Sequence, residues 1–307
     1  MGTYLIVGAG AIGSVVAEQL AEQQGHAVRI LSRRGTGPEH TLIERIVGDA
    51  SDGATVTRHS KGVDAIFNCA NPPYHRWPTD WPPIANAILA AAEANGASLV
   101  TLNNLYAYGR PSGPMTPHDP LSADYEKAQV RATMWHDAKR AHDDGRVRAT
   151  EVRASDFIGP RSESYLGLLI PRIMAGKSCQ VIGDVDAVHS WNYTEDVART
   201  LTTCAQDERS WGRAWHAPAN PPWSVRQAID DIARIVGVTD VKITKVPTMA
   251  LRVLGLFNSN VRELPKTLYQ FQVPFVIDDS ETRSVFGLLP TPWDEVLRNT
   301  IAFYSKS

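Results

Sequence analysis

Residues 3–34 read TYLIVGAGAIGSVVAEQLAEQQGHAVRILSRR. The stretch opens with the short β-rich run Thr3 to Val7, turns through three glycines, and continues as SVVAEQLAEQQG with apolar residues at helical spacing up to Gly25. A second apolar run, AVRIL, follows. This is a strand, glycine turn, helix, strand unit. Gly8, Gly10 and Gly13 form G-x-G-x-x-G directly after a strand and at the opening of a helix, the context that gives the pattern its meaning. Gly8 allows the tight turn and Gly10 lets a pyrophosphate approach the backbone. Gly13 lets helix and strand pack closely, so the amides from Ala11 and Ile12 onward face an anion.

Working outward, DAIFN at 64–68 reads as a strand, an Ala-rich helix runs from about Pro82 to Asn95, and SLVTL occupies 98–102. A long helix from about Ser122 to Asp143 precedes the strand VRATEVR at 147–153. Strands alternating with helices of this length predict an α/β fold, a doubly wound parallel sheet covered on both faces. Beyond residue 155 proline and glycine punctuate shorter elements, with N-caps expected at Thr194 and Ser224. The division expected is a dinucleotide-binding domain over 1–155. A small substrate lobe over 156–307 packs on it and returns some segments to it.

Bulk composition limits the partners. The chain has 307 residues, Lys+Arg 31 against Asp+Glu 33 and a formal net charge of -2, so no global positive field points to nucleic acid or anionic lipid. A small molecule is the expected partner, and a homodimer is compatible with the sequence. Cys69, Cys179 and Cys204 are too few and scattered for a disulfide framework or a zinc site, and no metal-ligand spacing is visible. With the first strand at Thr3 and no apolar run of ~20 residues, neither a signal peptide nor a membrane span is expected, and the protein reads as cytoplasmic.

The second strand ends LSRRG. Ser32, Arg33 and Arg34 offer a hydroxyl and two cations where an acidic residue would hold a ribose 2′-hydroxyl, which favours NADP, with NAD as the alternative. Asp49, after the third strand, is read as an adenine-side contact, with an ordinary turn aspartate as the competing reading.

Several ordered segments then resemble the extended short-chain dehydrogenase/reductases, the NAD-dependent epimerase/dehydratase group. NCANPP at 68–73, containing Ala70 and Asn71, is similar to that family's turn beside the cofactor, and LNNLYAYG at 102–109 to its serine-containing segment ending in Tyr-Gly. RASDFIGP at 153–160 and WNYTEDVAR at 191–199 resemble the loop after the sixth strand and the Asp-Val-Ala helix start. Residues 278–304 look like the C-terminal helix pair. The resemblance implies a Rossmann-type fold, a nicotinamide cofactor and a tyrosine whose pKa a lysine four residues on would lower.

The catalytic positions depart from that pattern. Asn104 stands at the serine position, where an amide still donates to a carbonyl oxygen. In SADYEKAQVR, residues 122–131, one register pairs Tyr125 with Gln129 and another pairs Lys127 with Arg131. Residues four apart share one helix face, so each register implies a different proton carrier: the phenol of Tyr125, or Lys127 with Arg131 pushing its pKa down. Asp156, where the family loop has asparagine, is a third acid. The family's diphosphate-gripping arginine corresponds to His189, which makes a nucleotide-sugar substrate doubtful. Tyr74, Tyr106, Tyr165 and Trp191 are the candidate substrate walls, joined by Trp77 and Trp81. The reading is therefore an atypical reductase or dehydrogenase acting on a small carbonyl or alcohol. Its rivals are an epimerase or dehydratase oxidising its substrate transiently through NAD, and a non-catalytic NADP-binding sensor.

Overall fold

The computed structural model describes residues 1–162, 164–247, 249–251, 257 and 259–306. Strand β1 (Thr3–Val7) is followed by helix α1 (Ala11–Glu18), which widens into a turn of π-helix over Gln19–Gln23 before Gly25 reverses the chain at φ +67. Then come β2 (Ala27–Ser32), β3 (Ile43–Val47), α2 (Gly53–His59), β4 (Ala65–Asn68), α3 (Trp77–Asn95), β5 (Ser98–Asn103), α4 (Glu126–Asp143) and β6 (Ala149–Arg153). The later elements include β7 (Asp156–Ile158), α5 (Tyr165–Met174), β8 (Cys179–Val181), β9 (Val188–His189), β10 (Trp191–Tyr193), α6 (Thr194–Gln206), β11 (Ala214–His216) and α7 (Val225–Val236).

The central sheet has seven parallel strands in the order β11-β6-β5-β4-β1-β2-β3. It is doubly wound, with β1 between β2 and β4, so the glycine turn after β1 sits where the strand order reverses. One face buries Val15 and Val16 of α1 and Leu20 of the π-helical turn against Val197, Ala198 and Leu201 of α6. The other buries Val56, Ile88, Ala91 and Ala138 of α2, α3 and α4. The parallel α/β fold expected from the alternation is the fold observed.

Residues beyond 155 are divided between the two parts. A second core joins Leu166, Ile170 and Ile173 to Trp191, Val225, Ile229, Ile232 and Leu297. Yet α6 covers the first core and β11 extends the sheet alongside β6.

Local differences from the expected boundaries have physical causes. Helix α3 starts at Trp77, earlier than Pro82, with Pro78 in its first turn and Pro82 and Pro83 inside it. Pro78 suits the first turn, where an N–H has no acceptor to lose, and Pro82 and Pro83 are close enough to the helix start that the bonds they remove and the carbonyls they crowd belong to that first turn. Helix α4 begins at Glu126, because Tyr125 is an extended N-cap at φ -89, ψ 148. Thr194 is the first residue of α6 and caps nothing; its hydroxyl is buried without a partner. Ser224 makes the expected cap, its Oγ accepting from the Gln227 N–H at 3.2 Å while Gln227 Oε1 accepts from the Ser224 N–H at 2.8 Å.

Candidate active site

The cofactor end is made of backbone. Gly8 has φ +109, a left-handed conformation that L side chains rarely adopt, and a Cβ there would lie 2.5 Å from the Cys69 carbonyl oxygen. A Cβ on Gly13 would overlap the Gly8 carbonyl. At Gly10 a Cβ would meet nothing within 4 Å, so the backbone beside the start of α1 borders open space. The first amides of α1 have no intrahelical acceptors and carry the positive end of the helix dipole. These features fit a dinucleotide pyrophosphate.

At the end of β2, Arg33 and Arg34 are exposed and, among the described residues, take part in no hydrogen bond or ion pair. Ser32 is already engaged: its Oγ accepts from the Thr36 N–H at 2.9 Å. Asp49 is exposed and holds a tight turn, accepting from the Ser51 N–H at 2.9 Å and the Ser51 hydroxyl at 2.8 Å. These bonds, with the nearby Arg33 charge, keep its carboxyl below the ordinary range. Ala70 is half-buried; its N–H lies 3.4 Å from Asn68 Oδ1, and Asn71 beyond it is exposed.

The inward face of α4 carries Lys127 and Arg131, 4% and 5% exposed, whereas Gln129 faces solvent. Arg131 lies between two indoles, its Cζ 4.4 Å from the Trp77 ring and 4.2 Å from the Trp81 ring. Burial lowers its pKa to about 10, and its Nε has no partner. Lys127 Nζ lies 4.6 Å from the Tyr74 ring centroid and donates to Glu263 Oε2 at 2.7 Å. Tyr125, at the N-cap, also turns inward: its hydroxyl is 3.2 Å from that of Tyr269 and 3.4 Å from the Tyr106 carbonyl. Thus Tyr125 and Lys127, expected to exclude one another, both face the cleft, because Tyr125 precedes the helix and escapes its periodicity. Burial, then the neighbouring phenols of Tyr269, Tyr106 and Tyr74, push the Tyr125 pKa well above its ordinary value.

Tyr74, Trp77 and Tyr106 form one wall, with ring centroids 5.1 Å apart for Tyr74–Trp77 and 5.8 Å for Trp77–Tyr106. Asn104 is half-buried. Its Oδ1 accepts from the Tyr106 N–H at 3.1 Å, while among the described residues nothing accepts from its Nδ2. A buried network fixes this residue from below. The Asn104 N–H donates to Asn103 Oδ1, Asn103 Nδ2 donates to Glu151 at 2.7 Å, and Arg153 Nε donates to Glu151 at 2.7 Å. Arg153 Nη1 continues to the Tyr108 hydroxyl at 2.6 Å, which sits 2.8 Å from His216 Nε2. Burial holds the His216 imidazole down to about 3, against the pull of the Asp278 carbonyl on its Nδ1 and with a further push from Arg153.

A model of the NAD dependent epimerase/dehydratase family matches residues 4–215. The chain belongs to this family. Among curated proteins it is similar to sterol-4-alpha-carboxylate 3-dehydrogenase, decarboxylating, of Bos taurus, at 24% identity over 71% of this chain. It spans 65% of that relative's length. Among solved structures it resembles the Bordetella bronchiseptica enzyme WbmH in complex with NAD+, with TM-score 0.77 and 20% identity over 100% of this chain and 99% of that one. It also resembles UDP-glucose 4-epimerase of Thermotoga maritima with UDP-glucose, with TM-score 0.82 and 16% identity over 99% of both chains. A third likeness is dTDP-glucose 4,6-dehydratase of Streptomyces venezuelae with NAD bound, with TM-score 0.81 and 18% identity over 99% of this chain and 97% of that one. The family is NAD dependent, and the proteins that the chain resembles include an epimerase, a dehydratase and a dehydrogenase. No helix among the described residues is long and apolar enough to cross a membrane.

Within this epimerase/dehydratase fold, three of the expected substrate residues lie away from the cleft. His189 is 1% exposed, with Nδ1 3.2 Å from the Gln270 carbonyl and Nε2 2.9 Å from Asp156 Oδ2, so neither nitrogen is available to a ligand. Its ring stacks on Phe271 at 4.9 Å. Trp191 packs in the second core and donates to the Trp223 carbonyl at 3.0 Å. Tyr165 accepts from the Ile182 N–H at 2.8 Å and packs on Phe271. β9 and β10 carry His189 and Trp191 into the lobe, and the start of α5 carries Tyr165 there, so packing takes the aromatic side chains. Asp156 stays half-exposed, and its charge is felt by Tyr74 and Tyr106.

Sequence reasoning did not find the partners contributed by the helix Ser259–Thr267 and the turn after it: Glu263, Thr267, Tyr269 and Gln270. The Thr267 hydroxyl is 3.4 Å from that of Tyr74. Glu263 and Lys266, three residues apart, have the pattern of an ordinary solvated helix face, and the aromatic residues Tyr269 and Phe271 close behind are a local signal that the segment packs inward.

Proposed function

We propose that the protein is an NADP(H)-dependent oxidoreductase that reduces a small carbonyl compound, with Lys127 as the proton donor. The observation supporting this is the inward face of α4, where two buried cations four residues apart, Lys127 and Arg131, lie against the aromatic wall of Tyr74 and Trp77. NADPH, when bound, supplies the hydride to the carbonyl carbon. Gly8, Gly10 and Gly13 with the first amides of α1 hold the pyrophosphate, and Arg33 with Arg34 meets the 2′-phosphate that distinguishes NADP from NAD. Asn104 Nδ2 orients the substrate oxygen. Lys127 gives that oxygen a proton, so C=O becomes CH–OH, and Arg131 supplies fixed positive charge beside the nicotinamide ribose. Tyr74, Trp77 and Tyr106 wall the substrate. Tyr125 serves as a further wall, because its phenol is a weaker acid than usual and lacks a cation four residues on.

The test is oxidation of NADPH followed at 340 nm against a panel of aldehydes and ketones, with NADH as control. Consumption with at least one carbonyl, faster for NADPH, is expected. No consumption with any member, together with tight NADPH binding, would favour a non-catalytic sensor; oxidised cofactor retained through purification would favour an epimerase or dehydratase.

A further inference from the structure

Lys127 does not face the cleft uncompensated. Its ammonium and the Glu263 carboxylate form an ion pair at 2.7 Å, with side-chain exposures of 5% and 15%, between two helices that are distant in sequence. Withdrawing two charges from water is costly, and a cation left alone at such a point is strongly destabilising, so this position demands an anion. A carbonyl substrate that takes its proton from Lys127 must, however, approach the same nitrogen.

Three features show how the exchange is arranged. Glu263 Oε2 also lies 3.4 Å from the half-exposed Lys266 Nζ, so the carboxylate keeps a cation when it leaves Lys127. Burial works to raise the Glu263 carboxyl, but Lys127 and Lys266 outweigh it and hold it below the ordinary range. Other side-chain contacts of this segment with the tyrosine wall are between neutral groups, Thr267 with Tyr74, Tyr269 with Tyr125 and Gln270 with Tyr106. Among the described residues, the Lys127–Glu263 pair is the charged contact between them that a ligand must replace.

We propose that Lys127 is the docking point for a carboxylate on the substrate, and that Glu263 is the placeholder which that carboxylate displaces. The substrate class is then an oxo acid, a carbonyl compound bearing one carboxylate. This rests on the reading that Lys127 faces the carbonyl, and deepens it. An ammonium has three donors, so it can hold the carboxylate and the adjacent carbonyl oxygen together. The exchange is charge-neutral for one carboxylate. A diphosphate would bring more negative charge than Lys127 balances: Arg131 is enclosed between Trp77 and Trp81, and His189, at the position of the family's diphosphate-gripping arginine, is closed by Asp156 and Gln270.

The experiment measures binding, so that it does not depend on turnover. Benzoylformate and its methyl ester are titrated into the full chain, with NADPH present, by isothermal calorimetry. Wild type is expected to bind the acid about tenfold tighter than the ester, and Glu263→Gln to tighten the acid by about tenfold more and the ester by less. Lys127→Met should abolish the preference. The double variant Lys127→Met/Glu263→Leu, which fills the interface with apolar groups, should also lack it while keeping the wild-type circular dichroism. Equal binding of acid and ester in wild type and in Glu263→Gln, tighter binding of the ester, or no binding of either would overturn the proposal. Turnover of neutral carbonyls without acid preference would leave the reductase reading standing and remove this one; acid preference without turnover would do the reverse.

Discussion

The cleft has two ends built on opposite plans. At the glycine turn every requirement is met by backbone within a few residues: Gly8 turns, Gly13 clears the Gly8 carbonyl, and Gly10 leaves open space. At α4 the requirements are met by side chains from distant segments, Lys127 with Glu263 and Tyr125 with Tyr269. The first kind of site tolerates nothing at its own positions and is indifferent to the rest of the chain. The second can exchange its chemical groups while the scaffold stays the same, which is how a family with one fold comes to act on different substrates.

Substitution at the two ends should therefore differ in kind. The largest effect is expected for Gly13→Val, whose Cβ would collide with the Gly8 carbonyl and displace α1 from β1; calorimetric titration should find no NADPH binding. A variant that still bound NADPH would break the contrast. Next, Lys127→Met should lower kcat by roughly 10²–10⁴, the usual worth of a positioned proton donor, with cofactor affinity retained. Tyr125→Phe should cost much less, and loss of turnover in that variant alone would return the proton to the phenol.

Arg33→Ala should weaken NADPH by about 1.5–3 kcal/mol, the range of a charge-assisted hydrogen bond, and leave NADH nearly unchanged in a fluorescence titration. Tighter binding of NADH than of NADPH by wild type would overturn the cofactor preference. The smallest effect concerns the network beneath Asn104. His216 is held neutral down to about 3 in the fold and takes a proton near 6.5 when unfolded. Between those values the unfolded state binds more protons, so its contribution to stability falls as pH falls, by about 1.5 kcal/mol from pH 6.5 to pH 5. Urea denaturation across this range should show a shallower slope for His216→Gln than for wild type.

Legibility in the sequence followed the same division. The sheet, its parallel pairing and the glycine turn could be read because period, glycine spacing and flanks lie within one window. The two registers of SADYEKAQVR could be stated but not chosen between, since which face of α4 is buried depends on Trp77 and Trp81 packing over Arg131 from another helix. His189, Trp191 and Tyr165 read as cleft residues because local order cannot tell a pocket wall from a lobe core. Glu263 carries no signal of its own: a carboxylate three residues before a lysine is commonplace, and only the fold brings Lys127 to it.

The return of α6 to the first core and of β11 to the sheet means that the break in texture near residue 155 is no seam for unfolding. A chain ended there would leave β6 as a naked edge and the apolar stripe of α1 without its cover. The cofactor half therefore keeps its cover only while the later segments stay in place, and a cofactor that binds the folded chain stabilises α6 and β11 together with the sheet they complete.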